Sequence, residues 1–179
     1  MRKLKTEELE RLSIEEFKIK KKIPLVLVLD NVRSMANIGS AFRTGDAFRI
    51  EKICLCGITA QPPHREINKT ALGATDSVTW QYFEETSQAI EQLQQEGYTV
   101  AAIEQAEGSI SLEQFQPEET QKTAVVFGNE VFGVSDEVIK RADYCLEIPQ
   151  FGTKHSLNIS VTVGIVTWDF FTKLKHDLD

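Results

Sequence analysis

Ile23-Pro24-Leu25-Val26-Leu27-Val28-Leu29-Asp30 is the stretch that decides the fold. It is apolar almost without interruption, where a strand with one face in water would alternate with polar residues. A strand covered on both faces has this pattern, and such strands belong to parallel sheets with helices on either side. Similar runs recur at 52–57, 78–83, 98–104, 123–128 and 144–149. Between them lie helical patterns at 37–48, 87–96 and 135–141, and a last helix spans about 156–175. Asn37 is placed to cap the first, Gly97 to close the second, and Ser135-Asp136-Glu137 to open the third. Alternating strands and helices predict an α/β fold, mostly parallel, with helices on both faces. In such sheets ligands bind beyond the carboxyl ends of the strands. The loops at 31–43, 57–70, 104–111, 128–135 and 150–158 are therefore the places to look for chemistry.

The 179 residues fit one domain, and 41% hydrophobic with 26% charged residues is ordinary globular composition. No apolar run approaches the length of a membrane span. Three cysteines, Cys54, Cys56 and Cys145, are too few for a disulfide framework and fit reduced thiols in a cytoplasmic protein. The net charge of −7 argues against indiscriminate nucleic-acid binding. The charge is uneven, however. Residues 1–22 carry eight Lys/Arg and five Glu, a balance of +3, so the body from residue 23 holds −10. A basic arm on an acidic body is compatible with an RNA partner, and equally with a solvated helix.

Several chemistries find no support. G-x-G-x-x-G is absent after every strand. Gly128 to Gly133 has the outer spacing of a phosphate-binding loop, yet Val134-Ser135 stands where Lys followed by Ser/Thr is needed. Cys54 and Cys56 fall within one strand and are expected to point to opposite faces, so that they chelate no common ion. His64, His155 and His176 show no ligand spacing with them, and no metal is expected. Trp80, Tyr82 and Phe83 read as core before they read as base-stacking groups. The last helix is apolar around most of its circumference, through Ile159, Val161, Val163, Ile165, Val166, Trp168, Phe170 and Phe171. One sheet face cannot cover all of these, and a homodimer formed through this helix is expected.

Three segments are polar where the fold calls for neutral turns. Asn37-Ile38-Gly39-Ser40-Ala41-Phe42-Arg43 opens the first helix. Arg43 lies about 100° from Phe42 and about 140° from Ile38 around that helix, off its apolar stripe, facing a cleft or water. Phe127-Gly128-Asn129-Glu130-Val131-Phe132-Gly133 follows the fifth strand, with glycines bracketing an Asn-Glu pair. Ile148-Pro149-Gln150-Phe151-Gly152-Thr153-Lys154-His155-Ser156-Leu157-Asn158-Ile159-Ser160 runs from the sixth strand into the last helix. Ser156 or Asn158 alone reads as a helix cap.

Taken in order, the three segments resemble the motifs of the SpoU/TrmH family of S-adenosylmethionine-dependent RNA 2′-O-ribose methyltransferases. The first resembles N-x-G-S-x-x-R, the second F-G-N-E-x-x-G, and the third I-P-x-x-G-x-x-x-S-L-N-x-S. The resemblance covers about residues 24–172. It implies a SPOUT-type α/β domain over 23–179 with a C-terminal trefoil knot, preceded by the basic arm of 1–22. It implies a dimer that uses S-adenosylmethionine and no metal, with RNA as substrate, tRNA before rRNA. The cofactor-binding residues implied are Glu104, Gly128, Ile148 and Leu157, and the catalytic ones Arg43, Asn37, Glu130, Ser156 and Asn158. The family uses the arginine to activate the ribose hydroxyl. A guanidinium with a pKa above ~12 is better suited to stabilising the developing alkoxide than to removing its proton. The sequence leaves open a catalytically silent RNA-binding dimer, rRNA as the acceptor, and a base nitrogen as the methylated atom.

Overall fold

The computed structural model describes residues 1–9, 11–118, 121–175 and 178. Its centre is a seven-stranded sheet in the order β3-β2-β1-β6-β4-β7-β5, with every neighbouring pair parallel. The strands are β1 (Ile23–Asp30), β2 (Ile50–Cys56), β3 (Trp80–Phe83), β4 (Thr99–Ile103), β5 (Ile110–Ser111), β6 (Thr123–Phe127) and β7 (Tyr144–Glu147). Helices α2 (Met35–Ala47), α3 (Arg65–Ala71), α4 (Ala74–Ser77) and α7 (Ile159–Leu174) take one face, and α5 (Thr86–Gln95) and α6 (Asp136–Arg141) the other. The continuous apolar run of β1 has the predicted cause. Leu25, Leu27 and Leu29 pack with Ile38, Phe42, Val163 and Phe170, whereas Val26 and Val28 pack with Ala89, Ile90 and Val138. Each such side chain contributes about 2 kcal/mol by leaving water.

Strand register aligns the chemistry. Leu29 lies opposite both Leu55 and Phe127, and Ile103 opposite both Phe127 and Leu146. The carboxyl ends of the central strands therefore open on one edge of the sheet, and the three polar segments leave from that edge. The arm is at the opposite edge, before β1. Its helix α1 (Ile14–Ile19) starts with Ser13 and Glu16 in a reciprocal cap, and it buries Phe17 in the main core. Residues 14–19 thus pack onto the body.

Several expectations need correction. Cys54 and Cys56 share one face and one core cluster, because residues two apart in a strand point the same way. Both thiols are buried, which raises their pKa; Cys54 is pushed up to about 12. Ser34, whose hydroxyl accepts from Asn37 N–H, caps α2 in place of Asn37. The last helix begins at Ile159, with Asn158 as its cap. His176 lies outside the described residues. Among the described residues no helix is long and apolar enough to cross a membrane.

Candidate active site

Loop 128–134 is held from within. Asn129 and Gly133 exchange backbone hydrogen bonds of 3.0 and 2.9 Å, closing the turn. The Asn129 carboxamide Oδ1 accepts from Val131 and Phe132 N–H, and its Nδ2 donates to Asn31 O at 2.8 Å. A Cβ on Gly128 would lie 2.1 Å from Gly133 C, and one on Gly133 2.2 Å from a Glu104 oxygen. Gly133 also has φ 67°, in the left-handed region that favours glycine. These glycines are required by the protein's own backbone, a stronger demand than keeping space for a ligand. Glu104 closes the other side, accepting from Val134 N–H at 3.0 Å and Gln105 N–H at 2.9 Å.

Glu130 is the hub that joins two of the sequence motifs. Its Oε1 accepts from Ser34 N–H and Asn37 Nδ2, and its Oε2 from Arg33 N–H, all at 3.0 Å. Partial burial raises its pKa, but these donors favour the charged form more strongly, and the net shift is downward. The carboxylate also lies at the start of α2, where a negative charge is favoured. Asn37 is released from capping by Ser34 and held by Glu130 instead.

Facing this loop is the segment 150–157, exposed along most of its length. Gln105 Nε2 ties it down by donating to His155 O at 3.0 Å. At its end the Asn158 carboxamide accepts from Ser160 N–H at 2.9 Å and Ser160 Oγ at 2.6 Å. Between the two loops lies a cavity of about 830 Å³. Ile103, Ile139, Ile148, Leu157 and Ile159 supply apolar walls. The charged lining residues are Glu104, Glu130, Asp136 and Glu147, with no Lys or Arg.

Of the expected residues, Glu104, Gly128, Glu130, Ile148, Ser156, Leu157 and Asn158 all line this cavity. Asn37 is joined to it through Glu130. Arg43 is not brought there. It sits on the exposed stripe of α2 with Ala36 and Ala47, and its guanidinium has no hydrogen bond or ion pair among the described residues. Sequence reasoning passed over Asn129 and Gln105, which build the walls. The Asn-Glu-Val-Phe-Gly turn offered the signal for Asn129, since Asn side chains fold back onto the N–H groups two residues on. Among the described residues no group of three or more His, Cys, Asp or Glu converges as a metal site requires.

A parallel α/β sheet with an acid-lined cavity of this size at the carboxyl ends of its strands places the protein among the α/β folds that bind a ligand there. The chain belongs to the SpoU rRNA Methylase family, whose model matches residues 24–168. It is 30% identical over 162 residues to the tRNA (guanosine(18)-2′-O)-methyltransferase of Thermus thermophilus, covering 90% of this chain and 81% of that one. It is 29% identical to the enzyme of the same description from Borreliella burgdorferi, covering 84% and 67%. Among solved structures it is similar to the A. aeolicus TrmH/SpoU tRNA modifying enzyme, with TM-score 0.79, 25% identity and coverage of 91% and 81%. An AdoMet-bound rRNA methyltransferase from Sinorhizobium meliloti superposes with TM-score 0.78 at 25% identity, covering 89% of this chain and 62% of that one.

Proposed function

We propose that this protein transfers a methyl group from S-adenosylmethionine to a ribose 2′-hydroxyl of RNA, with tRNA as the substrate class. The observation that carries this is the cavity between loops 128–134 and 150–157. It is large enough for a nucleoside, walled by aliphatic side chains, and its charged lining is wholly carboxylate. A cationic methyl donor fits that lining, and a polyphosphate does not. S-adenosylmethionine supplies a methyl group already activated on sulfonium, so the protein's task is to position the acceptor and stabilise charge. Glu104, Gly128, Ile148 and Leu157 form the donor side. Glu130 fixes Asn37, which with Ser156 and Asn158 lines the approach of the ribose.

Arg43 requires a second subunit. Exposed on α7 are Val161, Ile165 and Trp168, one stripe at helical spacing, with Trp168 stacked on Phe171 and both against Phe48. Arg43 belongs to α2, which packs beside α7. In a homodimer built on this apolar face, Arg43 borders the interface and serves an acceptor bound across it, where its charge stabilises the developing alkoxide as the hydroxyl proton passes to solvent water. A cytoplasmic location and the threaded C-terminal segment of a trefoil knot belong to the same reading.

The test is transfer of labelled methyl from S-adenosylmethionine to total RNA from a strain lacking the protein, followed by size separation. Label is expected in the tRNA fraction. Label confined to rRNA would overturn the choice of substrate, and no label in any fraction would overturn the activity.

A further inference from the structure

A second cavity, of about 430 Å³, backs onto the first; Asn129, Phe132 and Gly133 line both. Its remaining walls are Asp30, Asn31, Arg33, Ile58 and Ser135. It is a built site. Asn31, at φ 55°, holds three of its sides together. Its carbonyl accepts from Asn129 Nδ2, its Oδ1 from Ile58 N–H at 3.2 Å, and its Nδ2 donates to Asp30 Oδ1 at 2.8 Å. Thr59 Oγ1, bonded to Leu29 O and Val32 N–H, pins the Ile58 loop to the end of β1.

The floor carries an unused acceptor. Asp30 is 3% exposed. Its Oδ1 accepts from Asn31 Nδ2 and from Thr86 Oγ1 at 2.5 Å, while Oδ2 accepts from none of the described residues. Oδ2 is not sealed from solvent, so a ligand that brings N–H groups can take the place of water on it. Above this floor stand two exposed apolar side chains, Phe132 at 85% and Ile58 at 65%. They offer faces for a flat ring. Arg33 stands at the margin with its backbone N–H on Glu130 and its guanidinium without a partner among the described residues.

We infer that this second cavity takes an unstacked guanine base of the RNA substrate. The guanine N1–H and N2–H donate to Asp30 Oδ2, its ring lies on Phe132, and Arg33 meets a backbone phosphate. RNA is read in this manner, through splayed bases stacked on aromatics and hydrogen-bonded along the Watson–Crick edge. Guanine alone of the four bases puts two adjacent N–H donors on that edge. Adenine and cytosine set a ring-nitrogen acceptor beside their amino group, and uracil flanks its N3–H with carbonyls. The shared wall explains why the subsite is here: a base anchored behind Phe132 lies one loop away from the methyl-donor cavity. This inference rests on the reading of the protein as an RNA methyltransferase.

The experiment first saturates the protein with S-adenosylhomocysteine, so that the donor cavity is closed to nucleotides. Guanosine, adenosine, cytidine and uridine 5′-monophosphates are then titrated by calorimetry. The guanine nucleotide should bind about tenfold more tightly than the others, from hydrogen bonding to a charged group. Asp30→Asn should erase that preference, and Ile58→Ser should weaken binding without altering affinity for S-adenosylhomocysteine. If Asp30→Asn fails to fold, inosine 5′-monophosphate on the unmodified protein replaces it, since loss of N2–H should weaken binding. Equal affinity for the four nucleotides, or an unchanged preference in Asp30→Asn, would overturn the inference. Failure to bind S-adenosylhomocysteine would instead count against the methyl-transfer reading, and the comparison with Asp30→Asn, a residue that lines the second cavity and not the first, would still decide the subsite.

Discussion

Two loops face each other across the cavity of about 830 Å³ and are built on opposite plans. In loop 128–134 the N–H groups of Asn129, Val131, Phe132, Gly133 and Val134 are all accepted by Asn129, Gly133 or Glu104, and Glu130 extends the loop to α2. Loop 150–157 is exposed, with Phe151 97% accessible, and Gln105 anchors it at His155. The first loop is braced from within, as the proposed role of orienting a reacting hydroxyl requires. The second leaves side chains free to meet a ligand from outside. The difference teaches that a motif glycine or asparagine can be spent on geometry in one wall while similar residues in the other remain at the ligand's disposal.

The largest expected effect tests that contrast directly. Gly128→Ala should cost about 3 kcal/mol or more of stability, because the new Cβ meets backbone at 2.1 Å. Gly152→Ala, with nothing within 4 Å of the new Cβ, should stay within about 0.5 kcal/mol. Urea unfolding of the two variants measures both. Equal losses would erase the distinction between the walls.

Activity should divide next. Glu130→Gln leaves a carboxamide facing three donors and should lower kcat/KM about 100-fold, whereas His155→Ala should change it by less than about threefold. Arg43→Ala should lose about 100-fold in kcat with S-adenosylmethionine affinity unchanged. Mixing inactive Arg43→Ala subunits with inactive Glu130→Gln subunits should then restore activity if the arginine acts across the interface. Mixtures that stay inactive while forming heterodimers would return Arg43 to its own subunit. Leu157→Asp, in the open wall, should weaken the cofactor about tenfold through lost apolar contact, read by calorimetry.

The smallest effect is in the pH dependence of stability. The folded pKa of Glu130 lies below its ordinary value of 4.5. Its charge therefore stabilises the folded state above that value, and the contribution fades as pH falls through the depressed folded pKa. Acid titrations of wild type and Glu130→Gln should converge at the low end and separate above it. Parallel curves would mean that the carboxylate is not held as described.

The sequence showed the parallel sheet because β1 is buried on both faces, and that requirement writes itself as an unbroken apolar run. It did not show α3, α4 or β5. The two helices are short, polar on one side and divided by Leu72-Gly73, both with positive φ, and β5 is two residues long. Within the site, six of the seven lining residues were legible because they sit in the continuous motifs 127–133 and 148–160, whereas Glu104 lies in neither and came from the family resemblance alone. Asn37 was misassigned as a cap because Ser34, three residues earlier, competes for that role. Arg43 was legible as exposed by its helical angle; its place at an interface belongs to the proposed dimer.

The arm divides in the same way. Removing residues 1–12 leaves Phe17 and the Ser13 cap of α1 in place and should spare stability; a fall in RNA affinity at low salt would assign the basic residues to RNA. Removing 1–22 takes Phe17 out of the core as well, so that loss of binding would no longer distinguish contact from unfolding.

The most direct measurement of the whole account follows the methyl group itself. Modified RNA from the labelled reaction is digested to nucleosides and the label located by mass spectrometry. The added carbon is expected on the ribose, with the neighbouring linkage resistant to alkali. A methyl group found on a base, its ribose unmodified and its linkage cleaved normally, would contradict it.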